Sequence, residues 1–380
     1  MSREDKVNPI DVEAVIAGLT DWVEIESPTS DTAAVNRMLD RVAHEFAGLP
    51  VAIERMPGRD GFADILAVRS AGAGERPGIL VLSHIDTVHP VGTLGGPLPV
   101  KRDGDKLYGP GIYDMKGGAY IGMDAFRRVL RTGSLRLPIT YLFTPDEEVG
   151  SLISRSVIES EAKHARHVLV TEPARDGGKI VTARKGVGRF VVTAEGVPAH
   201  SGGRHQDGRS AIKEMAHQVL AIAGMTDYAR GVTTSIGRIA GGTADNVIPQ
   251  HCRMSVDLRV RDAESGRELE TRIRGLKPVD PDVKLSVTGQ MNRPPFEKNA
   301  EIAALLAHAQ KLAREIGFEL VDSPMTGGGS DGNFTAFMGV ATLDGLGVDG
   351  DGAHTLWEHA LVSSIAPRLT LMQRLMETLE

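Results

Sequence analysis

A single cysteine, Cys252, stands in 380 residues, which excludes an internal disulfide; it falls in a strand-like stretch where a buried thiol is the ordinary expectation. No run of 18 apolar residues occurs anywhere, so no membrane span and no membrane partner are expected. Basic charge is not in excess. Against 50 Asp and Glu there are 43 Lys and Arg, a net charge of −7, and the basic residues are dispersed rather than clustered. That balance argues against nucleic acid as a partner. The opening stretch MSREDKVNPIDVEAV lacks the apolar core of a signal peptide, so a cytoplasmic location is expected. There is no internal repeat and no low-complexity segment.

What is present is the balance of a globular chain, 41% hydrophobic and 24% charged, at a length that favours two domains. VEAVIAGLTDWVEI and AAVNRMLDRVAHEFAGL carry apolar residues at helical spacing, and VAIERM and FADILAV read as short strands. GILVLSHID, ITYLFTPDEE and HVLVTEP are near-continuous apolar runs, as expected of central strands covered on both faces. The first ends at His84, the second at Glu147 and Glu148, and the third at Glu172. KGGAYIGMDAFRRVLRTG is an amphipathic helix between the first two. After Gly186 the order changes to strand, helix, two strands, helix, strand, which suggests an antiparallel sheet of the ferredoxin-like sort. The expected division is a first domain over 1–185, an insertion over 186–293, and the first domain resumed over 294–380.

Seven metal-type side chains follow in order: His84, Asp86, Asp114, Glu147, Glu148, Glu172 and His354. In open α/β sheets ligands gather beyond the carboxyl ends of the strands, so these distant positions are expected to converge on one crevice. Two imidazoles and several carboxylates suit a pair of divalent cations, and a spare carboxylate suits a hydrolase that must take a proton from water. Each residue also has a plainer reading. His84-x-Asp86 is a common loop pattern, strengthened by the buried strand before it; Asp86 is placed to orient the His84 ring. Asp114 can bridge two cations, but spacing alone favours a helix N-cap. Glu147 and Glu148, adjacent like charges, call for a neutralising cation unless they are a solvated acidic turn. His354 in a Gly/Asp-rich loop is unremarkable by itself. Glu358 reads as support for the last helix, and His89 as a surface or satisfied core residue.

Taken together, SHIDTV, YGPGIYDMKGG, TPDEEVGS, TEP, VPAHSG, NVIP, RPPF, TGGGSD and GAHT resemble, in order and over essentially the whole chain, the M20 metallopeptidase family, above all its glutamate carboxypeptidase branch. The resemblance implies a zinc-peptidase-like α/β catalytic domain with a central mixed sheet, plus an inserted ferredoxin-like α+β lid and dimerisation domain. It implies two divalent metals, zinc first, with cobalt or manganese as substitutes. Asp114 would bridge them, His84 and Glu172 would complete one site, and Glu148 and His354 the other. Glu147 would be the general base and Asp86 the orienter of His84. A cis peptide between Asp114 and Met115 is also implied.

From the inserted domain, His200 would stabilise the tetrahedral oxyanion, commonly in the partner subunit of a homodimer, and Asn246 would orient the substrate. Arg259 and Arg293 are candidates to hold a substrate carboxylate, which guanidinium does with two parallel bonds; surface ion pairs are the plainer reading. The loop from Gly327 through Gly328 and Gly329 to Ser330 can offer backbone N–H groups to the same carboxylate, or be a tight turn. Lys179 adds a positive charge for an acidic side chain.

Within the family, glutamate at position 172 goes with carboxypeptidases and deacylases, aspartate with aminopeptidases. The chain departs from the commonest pattern at Met115, beside Asp114, and in GLGVDGDGAHT, the loop of His354; both departures leave the ligands themselves unchanged and bear on the substrate more than on the chemistry. The reading is therefore a metal-dependent hydrolase that cleaves an amide beside a free α-carboxylate, acting on a short peptide or N-acyl amino acid and releasing glutamate or a similar residue. The alternatives are an N-acyl-amino-acid deacylase, a hydrolase of a non-peptide C–N bond, and a metal-free binding protein on the same fold.

Overall fold

Three strands that carry the long apolar runs lie side by side and parallel: Ile139–Thr144, Gly78–His84 and Ala165–Val170. A computed structural model describes residues 10–380; the segment before Ile10, which begins the stretch read for a leader, lies outside the described residues. All residues of Gly78–His84 and Ile139–Thr144 are buried, which is why neither shows the alternation of a half-exposed strand. Val51–Met56 and Ile65–Ser70 add antiparallel on one side, and Ala341–Leu343 adds parallel on the other. The result is a six-stranded mixed sheet.

The chain divides into two compact units. The first takes the described residues up to Thr182, then Lys298–Pro324 and Ser330–Glu380; the second takes Ala183–Glu297 and Met325–Gly329. The glycine-rich segment 325–329 thus belongs with the insertion, whereas the sequence places it in the resumed first domain.

In the first unit, helix Gly117–Thr132 makes the crossover between the parallel strands Gly78–His84 and Ile139–Thr144. Its glycines allow a close approach to the sheet: a Cβ on Gly118 would stand 1.9 Å from the Thr171 carbonyl oxygen, and one on Gly122 2.5 Å from the Tyr141 hydroxyl. The helices Val12–Val23 and Thr32–Glu45 start where Asp11 and Asp31 accept the N–H groups of Ala14 and Ala34. Trp22 meets Tyr120 edge-on at 5.2 Å between ring centres.

A second, four-stranded sheet is built of very short strands that the sequence does not announce: Lys101–Asp103, Lys106–Tyr108, Gly350–Asp351 and His359–Leu361. Two or three residues are too few for any periodicity to show. This small sheet carries both ends of the loop that holds His354.

The second unit is a four-stranded antiparallel sheet in the order Thr233–Gly241, His251–Val260, Gly186–Glu195, Lys284–Arg293. Helices Ala211–Ala223 and Ala263–Arg274 supply the two intervening elements, the arrangement expected of a ferredoxin-like unit. Cys252 is buried in its core. The first strand ends at Glu195, before VPAH, because Gly196 and Val197 turn to bond Gln250 and Arg209.

Candidate metal centre

The carboxyl ends of the parallel strands bring the first-unit candidates together. His84 closes its strand and is buried; Glu147 and Glu148 open a short helical turn just after Thr144; Glu172 follows Val170. Asp114 arrives from a separate loop through a cis peptide to Met115. It does not cap the following helix: its φ and ψ are −116° and 95°, and the N-cap position is held by Lys116. The helix begins two residues too late for the capping that spacing suggested.

Asp114 turns its two oxygens to two different histidines. Oδ1 lies 3.1 Å from His84 Nε2, and Oδ2 lies 3.4 Å from His354 Nε2. Glu172 Oε1 is 3.7 Å from His84 Nε2, and Glu148 Oε2 is 3.0 Å from His354 Nε2. Ligand-type atoms of His84, Asp114 and Glu148 fall within 4.8 Å of one another, as do those of His84, Glu147 and Glu172. His354 is held at φ 65°, a left-handed conformation sparsely populated by non-glycine residues and concentrated at functional sites.

These carboxylates and imidazoles fit divalent cations. Glu148 Oε1 is buried with no hydrogen-bond partner, an acceptor that burial alone would penalise. In the protein without metal, burial and then the Asp114 charge push Glu148 up to about 8. His354 is pushed up to about 11 by hydrogen bonding to Asp114 and Glu148. Burial opposes charge on His84, but Asp114, Asp86 and the nearby Glu147 outweigh it and raise its pKa. Asp114 is burdened by burial yet falls well below the usual carboxylate range, because His354 and His84 both bond it. The cluster thus borrows protons where cations would supply positive charge.

Asp86 meets His84 through its backbone rather than through the carboxylate, which the sequence reading places on the second ring nitrogen. His84 Nδ1 donates to the Asp86 backbone carbonyl at 3.0 Å, while the Asp86 carboxylate is 3.5 Å away. That bond fixes the tautomer that leaves Nε2 facing Asp114. The fully buried carboxylate instead accepts the N–H groups of Glu147 and Glu148, each at 3.2 Å, and the Thr29 hydroxyl at 2.7 Å. It holds the turn that presents both glutamates. Asp146 supports the same turn by accepting the Ile153 N–H at 2.6 Å; burial raises its pKa to about 6. Lys116, fully buried with its amine on the Ile25 carbonyl at 2.6 Å, is pushed down to about 7 by desolvation.

Lys179 is half-buried in a tight turn, paired through the backbone with Arg175.

In the second unit, His200 and Asn246 come together although 46 positions apart: the Ser201 N–H bonds the Asn246 carbonyl at 3.0 Å. His200 Nδ1 accepts the N–H groups of Gly202 and Gly203, both at 3.1 Å, so its neutral ring carries the proton on Nε2. Arg259 is paired with Asp257 through Nε at 2.7 Å and Nη2 at 2.9 Å, and its Nη1 donates to the Gly327 carbonyl at 3.1 Å. Arg293 is buried against Gly329, whose added Cβ would lie 2.6 Å from the arginine Cδ. The Gly328 carbonyl accepts from Arg184 Nη1 at 3.2 Å. Arg184, fully buried in ARKGVG, was not singled out in the sequence; a basic residue closing an apolar stretch was its only signal.

Acidic and imidazole side chains gathered at the carboxyl edge of a mixed α/β sheet define a metal-dependent hydrolase. The chain belongs to the peptidase family M20/M25/M40, whose model matches residues 80–378. It is 31% identical to carboxypeptidase G2 of Pseudomonas sp. (strain RS-16) over 370 residues, covering 95% of this chain and 88% of that one. Its fold matches aminopeptidase PepT from Bacillus cereus ATCC 10987 with a TM-score of 0.76 at 22% identity, over 97% of this chain and 98% of the other. It also matches the M20 family metallo-carboxypeptidase Sso-CP2 from Sulfolobus solfataricus, with a TM-score of 0.74 at 15% identity, over 96% and 98%.

Proposed function

We propose that the protein is a dinuclear metal-dependent carboxypeptidase or amidohydrolase, cleaving an amide beside a free α-carboxylate and releasing glutamate or a similar amino acid. The observation that carries this reading is Asp114, which offers one oxygen to the His84 side at 3.1 Å and the other to the His354 side at 3.4 Å. Asp114, His84 and Glu172 would hold one ion, and Asp114, Glu148 and His354 the other. Two bound cations, zinc by preference and cobalt or manganese as substitutes, polarise a carbonyl and make water nucleophilic near neutral pH.

The chain's own residues do the rest. Glu147, on a turn fixed by Asp86, takes the proton from the attacking water and returns it to the leaving amine. His200, with its proton on Nε2, is a donor suited to a developing oxyanion, a role worth several kcal/mol elsewhere. Asn246, Arg293, Arg259, Lys179 and the backbone at Gly328 and Gly329 are assigned to the substrate. The insertion, 186–293, acts as lid and homodimer contact, and the enzyme is placed in the cytoplasm.

Metal-loaded protein tested on N-acyl-glutamates, folate-type conjugates and N-acetyl amino acids, beside Glu147→Ala, decides the matter. Release of free amino acid, lost in Glu147→Ala with metal content kept, is expected. Turnover of N-acetyl amino acids alone would make the protein a deacylase. No turnover of any amide with two metals bound would overturn the reading.

A further inference from the structure

Glu358 is 1% exposed and lies four positions after His354, yet it takes no part in the ligand cluster. Four donors converge on its two oxygens. Oε1 accepts the N–H groups of Tyr113 and Asp114, both at 2.9 Å. Oε2 accepts the Gly111 N–H at 3.0 Å and His89 Nε2 at 2.7 Å. Three N–H groups of one loop therefore point inward at a single carboxylate, a concave arrangement of the kind that binds anions. The loop can fold this way because position 111 is glycine: its φ is 69°, and a Cβ there would stand 2.3 Å from Thr87 Cγ2.

Each partner belongs to a segment that also carries a metal-type residue. His89 follows His84 and Asp86 on one segment; Gly111 and Tyr113 precede Asp114 on the next; Glu358 follows His354 on the third. The bond to the Asp114 N–H matters most. Asp114 presents its oxygens to two histidines from a backbone whose own amide is pinned by Glu358. A small rotation of that loop would move both oxygens at once, toward one histidine and away from the other.

We propose that Glu358, itself held by His89, is a positioning residue that sets how Asp114 divides its carboxylate between the two halves of the metal centre. This rests on the dinuclear reading given above. A carboxylate that merely ties loops together would contribute to folding alone, whereas a positioning carboxylate controls metal affinity and coordination geometry. Outer partners of ligands commonly change metal affinity by about 10–100-fold when replaced.

The test uses the full chain as wild type, Glu358→Gln, Glu358→Asp, His89→Leu and His89→Gln. For each, zinc retention is measured against increasing chelator, the visible spectrum is recorded with cobalt, and the melting temperature is taken without metal. The expected result is a loss of affinity of about 10–100-fold in Glu358→Gln, with an altered cobalt spectrum. His89→Leu follows in the same direction, and His89→Gln, which keeps a donor, loses less than His89→Leu. If the variants melt earlier without metal but match wild type in chelator resistance and cobalt spectrum, the role is structural and the proposal fails. Should a Glu358 variant not fold, the His89 pair gives the same decision. A wild type that binds no metal would instead overturn the dinuclear reading on which the proposal stands.

Discussion

Glu148 Oε2 stands 3.0 Å from His354 Nε2, while the other oxygen of the same carboxylate is buried without a partner. The pair shares protons in a way that a cation would replace, and this gives the metal-free protein a defined pH response.

Glu148 is raised from 4.5 to about 8 and His354 from 6.5 to about 11. Groups raised on folding stabilise below their unfolded values and lose that contribution as pH climbs through the folded ones. Glu148 covers roughly pH 4.5 to 8, and His84 and His354 act in the same direction above about 6.5. Asp114, shifted downward, matters only in acid and does not enter this window. The metal-free protein should therefore melt at a lower temperature at pH 8 than at pH 6.5, by calorimetry, while zinc raises the melting temperature more at the higher pH. Equal zinc effects at both values would contradict the assignment.

Zinc binding near neutral pH should also release protons, because Glu148, His84 and His354 must all give theirs up. A pH indicator in weakly buffered solution reads this directly. Fewer than one proton per chain would mean the ligands are already deprotonated.

Asp86→Ala leaves the N–H groups of Glu147 and Glu148 and the Thr29 hydroxyl without their common acceptor. Turnover should fall further than metal content, since the turn carrying the proposed base is loosened. Metal affinity itself should drop about 10–100-fold. The comparison needs kcat and metal stoichiometry on the same samples.

Gly118→Ala introduces a methyl group 1.9 Å from the Thr171 carbonyl oxygen, one residue before Glu172. Alanine normally favours a helix over glycine, but here the overlap wins. A loss of about 1–3 kcal/mol is expected by urea unfolding, as for other overpacked sites. Unchanged stability would mean the helix can retreat from the sheet.

In the second unit, Glu214 is buried and accepts the N–H groups of Val279 and Asp280, each at 3.0 Å, and the Gln218 side chain at 2.7 Å. Glu214→Ala should cost about 1–3 kcal/mol, the range for stranding buried donors, and leave metal content as in wild type. Loss of metal in this variant would contradict the separation of roles.

The apolar runs ending in His84, in the Glu147–Glu148 pair and before Glu172 were legible because a strand buried on both faces leaves a continuous hydrophobic signature, and its carboxyl end locates the crevice. The ferredoxin-like order was legible from the alternation of strand and helix periods. Asp114 was not legible from spacing, which favoured a cap; its proposed role depends on two histidines 30 residues before it and 240 after. Glu358 and His89 were hidden for the same reason. They are 269 positions apart, and the donors on Glu358 come from backbone, which no side-chain pattern announces. Glu358 lies ahead of the last helix, which begins at Val362, and supports the Asp114 loop rather than the helix start.

The polypeptide passes between its two units four times: after Thr182, Glu297, Pro324 and Gly329. Two cuts would free an ordinary insertion. Here they would strand five residues, Met325–Gly329, whose carbonyls at Gly327 and Gly328 accept from Arg259 and Arg184. Any graft of this module into another member must therefore transplant a distant pentapeptide along with it, so the two pieces are expected to have diverged in step.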